Sequence, residues 1–177
     1  MTFSPIRTGR FDQIPATLEI LEADRDDRQE LARLLDATIP GSWPPPLLDE
    51  TLEEFIQVVS EGNDPLFAAW YWVLDDPAAG GRVLIGAGGT ASSPITEDAV
   101  LIGYSVLDEF QGKGYATEAI SYLISALFAL SDIQQIEAVT YPDLGAAIRV
   151  LEKNGFVQIG EGFEDGTIRY VLDRPGS

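Results

Sequence analysis

A strand, a glycine-rich turn and a long amphipathic helix follow one another between residues 99 and 130, and this run constrains the fold more than any other part of the chain. Ala99 to Leu107 reads as a strand, Gln111-Gly-Lys-Gly-Tyr-Ala116 follows, and a helix is predicted from about Tyr115 to Leu130. Ala116, Ala119, Ile120, Leu123, Ile124, Leu127 and Phe128 recur at helical spacing, so one face is expected to lie on a sheet. Gln135 to Thr140 then reads as a strand, Leu144 to Asn154 as a helix stopped by Asn154-Gly155, and 156–161 and 167–172 as a closing pair.

The earlier half is less regular. Residues 1–15 read as an irregular N-terminal arm or first strand, and Ala16 to Glu22 as a short strand. Asp24 is expected to cap a helix reaching about Ala37, with Leu31, Leu34 and Leu35 as its stripe. Pro44-Pro45-Pro46 fixes an extended segment beside Trp43, which is expected to pack that loop, and a helix follows from Asp49 to about Ser60. Leu66 to Leu74 and Arg82 to Ala91 read as antiparallel neighbours across DDPAAGG. Without repeat or linker, residues 1–177 read as one α/β (α+β) domain with a mixed, mostly antiparallel sheet flanked by helices.

Composition narrows the chemistry. The 177 residues contain no histidine and no cysteine, which excludes imidazole or thiolate metal sites, Ser-His and Cys-His pairs, and disulfides. A formal charge of -18, from 11 basic and 29 acidic residues, opposes a nucleic-acid partner. No apolar run is long enough to span a bilayer and MTFSPIRTGR does not resemble a signal peptide, so a cytoplasmic location without membrane association is expected.

Two glycine-rich segments compete as phosphate sites. Gly86-Ala-Gly88-Gly89-Thr-Ala91 matches a dinucleotide fingerprint, but Ser92-Ser93-Pro94 follows instead of a helix, so the segment reads as small residues packed closely in a strand. Gln111 to Thr117 does lead into a helix, whose first amides and positive dipole end favour an anion. Lys113, one of two lysines in the chain with Lys153, adds a mobile cation; a plain loop with a solvated lysine fits the spacing equally well.

IGYSVLDEFQGKGYATEAISYLI resembles the acetyl-CoA-binding core of the GNAT superfamily of N-acetyltransferases, whose signature Q/R-x-x-G-x-G/A falls here on Gln111, Gly114 and Ala116. TYPDLGAAIRVLEKNGF, from Thr140 to Phe156, is similar to the second segment of the branch containing bacterial ribosomal-protein N-terminal acetyltransferases, and the two resemblances together imply that residues 99–161 are the cofactor-binding core. The resemblance implies a GNAT-like acyl-CoA N-acyltransferase fold and direct transfer of acetyl from acetyl-CoA to a primary amine, a protein N-terminus or a small cationic amine, through a tetrahedral intermediate, without a metal. It implies that Val106 and Leu107 pair with the pantetheine arm through their backbones. Gln111, Gly112, Lys113, Gly114, Tyr115, Ala116 and Thr117 would hold the pyrophosphate, and the Val106 N–H would polarise the acetyl carbonyl.

The acid and base do not carry over. Leu101 stands where the branch often has Glu, Leu144 where it has Asn, Ala147 where it has Ser and Leu151 where it has an acid Tyr. Tyr104, on the same strand as Val106, is a candidate acid for the thiolate or a core aromatic, and Tyr141 is a candidate for the acceptor pocket or a packing residue. Glu97 and Asp98 read as a solvated turn that water could link to the amine, Glu118 as favouring the helix dipole, and Arg149 and Lys153 as one helical face. A CoA-binding module with little turnover is the alternative function. Either a monomer or a homodimer is compatible with the sequence.

Overall fold

The computed structural model describes residues 3–7 and 10–176. Its strands are β1 (Ile6–Arg7), β2 (Phe11–Pro15), β3 (Ala68–Asp76), β4 (Gly81–Ser92), β5 (Ala99–Val106), β6 (Gln135–Thr140), β7 (Val157–Glu161) and β8 (Ile168–Asp173). Its helices are α1 (Leu18–Asp26), α2 (Arg28–Leu35), α3 (Pro46–Glu61), α4 (Tyr115–Phe128) and α5 (Gly145–Lys153). The strands hydrogen-bond in the order β1-β2-β3-β4-β5-β6-β8-β7, giving the mixed, mostly antiparallel sheet expected from sequence. Two compact units emerge, Met1–Gly89 with Tyr104–Gln111, and Thr90–Gly103 with Gly112–Ser177.

In the first unit, β3 carries Ala68-Ala-Trp-Tyr-Trp-Val-Leu74, buried at every one of these positions. An apolar run without alternation is what a strand covered on both faces requires. Ala69, Tyr71 and Val73 join the core formed with Ile20, Leu21, Leu31, Leu35, Leu48, Leu52 and Ile56 of the three helices. Trp70 meets Phe3 edge-on, and Trp72 stacks with Tyr104.

Three early expectations need correction. Within the residues expected to form an irregular arm, Ile6 pairs with Gln13 and Phe11 with Leu74, making β1 and β2 regular antiparallel strands; Met1, Thr2, Thr8 and Gly9 lie outside the described residues. The misleading polarity is buried: Asp12 accepts from Arg7 Nε at 2.7 Å and Arg82 Nη1 at 2.5 Å, and Gln13 is also buried. The expected strand 16–22 is instead the start of α1, because Thr17 caps it by accepting from the Ile20 amide at 3.2 Å while Ile20, Leu21 and Ala23 turn inward. Asp24 is inside α1, and Asp27 caps the separate helix α2 through the Glu30 amide. Downstream, Pro46 opens α3 three residues before its predicted start, a position where proline loses no helix hydrogen bond.

In the second unit β5 and β6 are parallel, in register from Ala99↔Gln135 to Ile102↔Ala138, while β5 continues to Val106 and β6 to Thr140. Strands β6 and β8 and then β8 and β7 are antiparallel. Ala119, Ile120, Leu123 and Leu127 form the buried face of α4, four of the seven stripe positions. Helix α5 ends at Asn154, followed by Gly155 at φ +88°, as the Asn-Gly step predicts.

Candidate functional site

The end of β5 is held by its neighbours in the first unit. Val106 and Leu107 are buried, and the Leu107 amide donates to the Ile85 carbonyl of β4 at 2.9 Å. A 3-10 turn over Asp108–Phe110 follows, closed by the Phe110 amide on the Leu107 carbonyl at 2.9 Å. Gln111 then folds back: its Nε2 donates to the Val106 carbonyl at 3.0 Å and to Asp108 Oδ1 at 3.2 Å. The signature glutamine therefore acts on the strand end through its side chain. Ser42 Oγ also donates to Glu109 Oε1, tying the loop before α3 to this turn.

Tyr104 lies two residues before Val106 and stacks on Trp72, with ring centroids 5.9 Å apart and planes 22° apart. Burial pushes its phenol above the usual tyrosine range. The phenol is neutral at neutral pH, as any tyrosine is, and burial makes it a hydrogen-bond donor that parts with its proton less readily.

The phosphate-loop candidates lie in the second unit. Gly112 at φ +75° and Gly114 at φ +81° occupy the left-handed region, so the two glycines are there for conformation as well as size. Gly114 is the N-cap of α4, no side chain caps this helix end, and 112–114 are exposed. The Glu118 amide donates to the Gly114 carbonyl at 3.0 Å, so α4 winds tightly from its first turn. Tyr115, Ala116 and Thr117 are half-buried, and Asn154 Nδ2 braces that turn by donating to the Thr117 carbonyl at 3.2 Å. These features fit an anion: open glycines, a helix start without a side-chain cap, and an exposed Lys113 beside it.

The remaining candidates diverge. Tyr141 and Leu144 are exposed large side chains, whereas Leu151 is 1 % exposed and belongs to the core. Leu101 and Ala147 are half-buried. Glu97 and Asp98 are exposed in the turn before β5, where the Asp98 carbonyl accepts from the Gln134 amide. Arg149 and Lys153 are exposed on α5. Among the described residues no cluster of metal-ligating side chains occurs.

Besides Asp12, two carboxylates, Asp24 and Glu137, are buried in a way that sequence reasoning did not anticipate. Asp24 accepts from Trp43 Nε1 at 2.8 Å, Tyr71 Oη at 2.5 Å and Arg28 Nη1 at 2.6 Å. Glu137, on β6, accepts from Arg169 Nε and Nη2, both at 3.3 Å, and from Ser93 Oγ at 3.1 Å. Its only signal was one charge in the apolar strand Gln135-Ile-Glu-Ala-Val-Thr140, a pattern that calls for a buried partner.

Residues 17–157 match the acetyltransferase (GNAT) domain family. The chain belongs to the GNAT acetyltransferase family. With that membership it joins the acetyl-CoA-dependent acyltransferases, as the signature at Gln111, Gly114 and Ala116 implies. No functionally curated protein matches it. Among solved structures it is similar to the ribosomal-protein-S5-alanine acetyltransferase of Vibrio fischeri, at 19% identity and TM-score 0.60 over 98% of both chains. It also resembles an aminoglycoside acetyltransferase in complex with coenzyme A, at 18% identity and TM-score 0.65 over 93% of this chain and 95% of the other. A third, the Mycobacterium smegmatis protein RimJ in complex with CoA-disulfide, has 18% identity and TM-score 0.61 over 96% and 86%. At such identities the likeness establishes the fold.

Proposed function

We propose that this GNAT protein transfers acetyl from acetyl-CoA directly to a primary amine, either a protein N-terminus or a small cationic amine. The observation that carries this reading is the exposed turn Gly112–Gly114 running into α4, a helix start that no side chain caps. Amides from Gly112 to Thr117 would receive the pyrophosphate, with Lys113 adding charge. Gln111 would contribute mainly by holding the Val106 carbonyl. The backbones of Val106 and Leu107 would pair with the pantetheine arm.

The chemistry then needs little from side chains. A Val106 N–H aimed at the acetyl oxygen stabilises the charge that develops as the amine attacks. Tyr104, two residues before Val106 on β5, would offer a hydrogen bond to the departing thiolate. Tyr141, exposed just after β6, would line the acceptor pocket. The acidic surface favours a cationic acceptor and disfavours nucleic acid. We place the reaction in the cytoplasm, by a monomer or homodimer; no helix among the described residues is long and apolar enough to cross a membrane.

A CoA-binding module with little turnover is the second reading, favoured by Leu151, which fills the core where an acid tyrosine is usual in the branch. Incubation with acetyl-CoA and a panel of peptides and small amines, reading free CoA thiol, separates the two. Thiol release that depends on an amine is expected. Thermal stabilisation by CoA without release on any acceptor would establish the module instead.

A further inference from the structure

We infer that Gly86 is a positioning residue for the acetyl group, an inference that rests on the cofactor reading above. Gly86 lies on β4 beside Ile85, whose carbonyl holds the Leu107 amide. A Cβ built on Gly86 would stand 2.7 Å from the Ser105 carbonyl oxygen, 3.2 Å from Val106 Cα and 3.3 Å from Val106 Cγ2. The first two are backbone atoms, which cannot swing aside as the end of a side chain can. Gly86 has no positive φ, so its backbone would accept alanine, and space alone demands glycine here. Gly89 and Gly103, two other strand glycines, differ. Gly89 would bring a Cβ to 3.4 Å from the Phe55 ring, an ordinary contact, and Gly103 has nothing within 4 Å.

Two successive peptides around Val106 are thus fixed. Gly86 grants the close approach of Ser105–Val106 to β4, and Gln111 Nε2 draws the carbonyl of Val106–Leu107 toward the turn at 3.0 Å. A side chain at 86 would push the Ser105–Val106 peptide out of place. The direction of the Val106 N–H would change with it, while the glycine loop at 112–114 keeps its own conformation. Even an ångström of displacement is enough to degrade a preorganised donor.

Binding of two cofactor analogues tests this, because one carries the acetyl carbonyl and the other does not. The first is the ketone analogue of acetyl-CoA in which a methylene replaces sulfur, and the second is S-ethyl-CoA. Wild type is expected to prefer the ketone. Gly86→Ala should lose that preference by tenfold or more while binding S-ethyl-CoA within about twofold of wild type, and Gly103→Ala should change neither. If Gly86→Ala keeps the preference, or loses affinity for both analogues equally, the inference fails alone. If wild type binds neither analogue, the cofactor reading falls with it. Should Gly86→Ala fail to fold, exposed Gln111→Ala frees the adjoining Val106–Leu107 peptide, releasing Val106 from its other side, and must show the same selective loss; retention of the preference there overturns the inference.

Discussion

The cluster around Asp24 and the turn from Gly112 to Thr117 are built from opposite materials. Asp24 is 2 % exposed and satisfied by side chains from three places in the chain, Arg28, Trp43 and Tyr71. The turn is exposed through its glycines, and on the proposed reading it is backbone that a ligand would meet. A side-chain cluster supports what is already folded, and its residues cannot be exchanged one at a time without leaving an orphaned polar group. A backbone site tolerates side-chain change but not a change of conformation. Family chemistry that relies on the second kind can persist in a chain without histidine or cysteine.

The largest expected effect falls on the side-chain cluster. Asp24→Ala should cost roughly 3 kcal/mol of stability in urea unfolding, because Trp43 and Tyr71 lose a buried acceptor and Arg28 its partner. A loss below about 1 kcal/mol would show that solvent replaces the carboxylate. In the backbone site, Gly114→Trp should abolish CoA-induced thermal stabilisation and lower turnover on the order of 100-fold, since Gly114 sits at φ +81°. Unchanged CoA binding would remove the turn from the site.

The acid limb of the stability curve gives a smaller effect. Hydrogen bonds from Arg7, aided by Arg82 and opposed by burial, hold the Asp12 carboxyl below its ordinary range. The folded state then favours the ionised form, so this stabilisation is present above about pH 4 and disappears as pH falls through the depressed value. Asp12→Asn should flatten the acid limb by about 1 kcal/mol, a modest figure because Arg7 is largely exposed. An unaltered acid limb would assign it to other carboxylates. Smallest of all, Lys113→Ala should weaken CoA binding only severalfold, with the difference shrinking at high salt. A loss as severe as that of Gly114→Trp would mean that the lysine, rather than the backbone, holds the anion.

The same contrast explains what could be read from sequence. The run from Ala99 to Phe128 was legible because strand, glycine pair and helical stripe are local patterns, and β6 appears at its predicted bounds. Asp24 was misread as a cap because its partners lie 19 and 47 residues away, and a carboxylate near a helix start suggests a cap by default. Asp12 made a buried strand look like a polar arm for the same reason. Gly86 was legible as a small residue in a close-packed strand, but which backbone it must admit is a fact of the neighbouring strand. Tyr104 was visible as an aromatic near the strand end, whereas its stack on Trp72 and the burial that raises its phenol depend on the folded chain.

Helix α4 is finished differently at its two ends. Beyond its last turn Arg174 donates to the Leu130 carbonyl at 2.6 Å and the Ile133 carbonyl at 2.7 Å, with its guanidinium over the Phe128 ring. A permanent cation thus plugs the negative pole, whereas at the positive pole Glu118 stands in the first turn and the Gly114 N-cap makes no side-chain cap hydrogen bond. On the proposed reading the glycine turn is the terminal left for an arriving anion, while Arg174 keeps the other one connected.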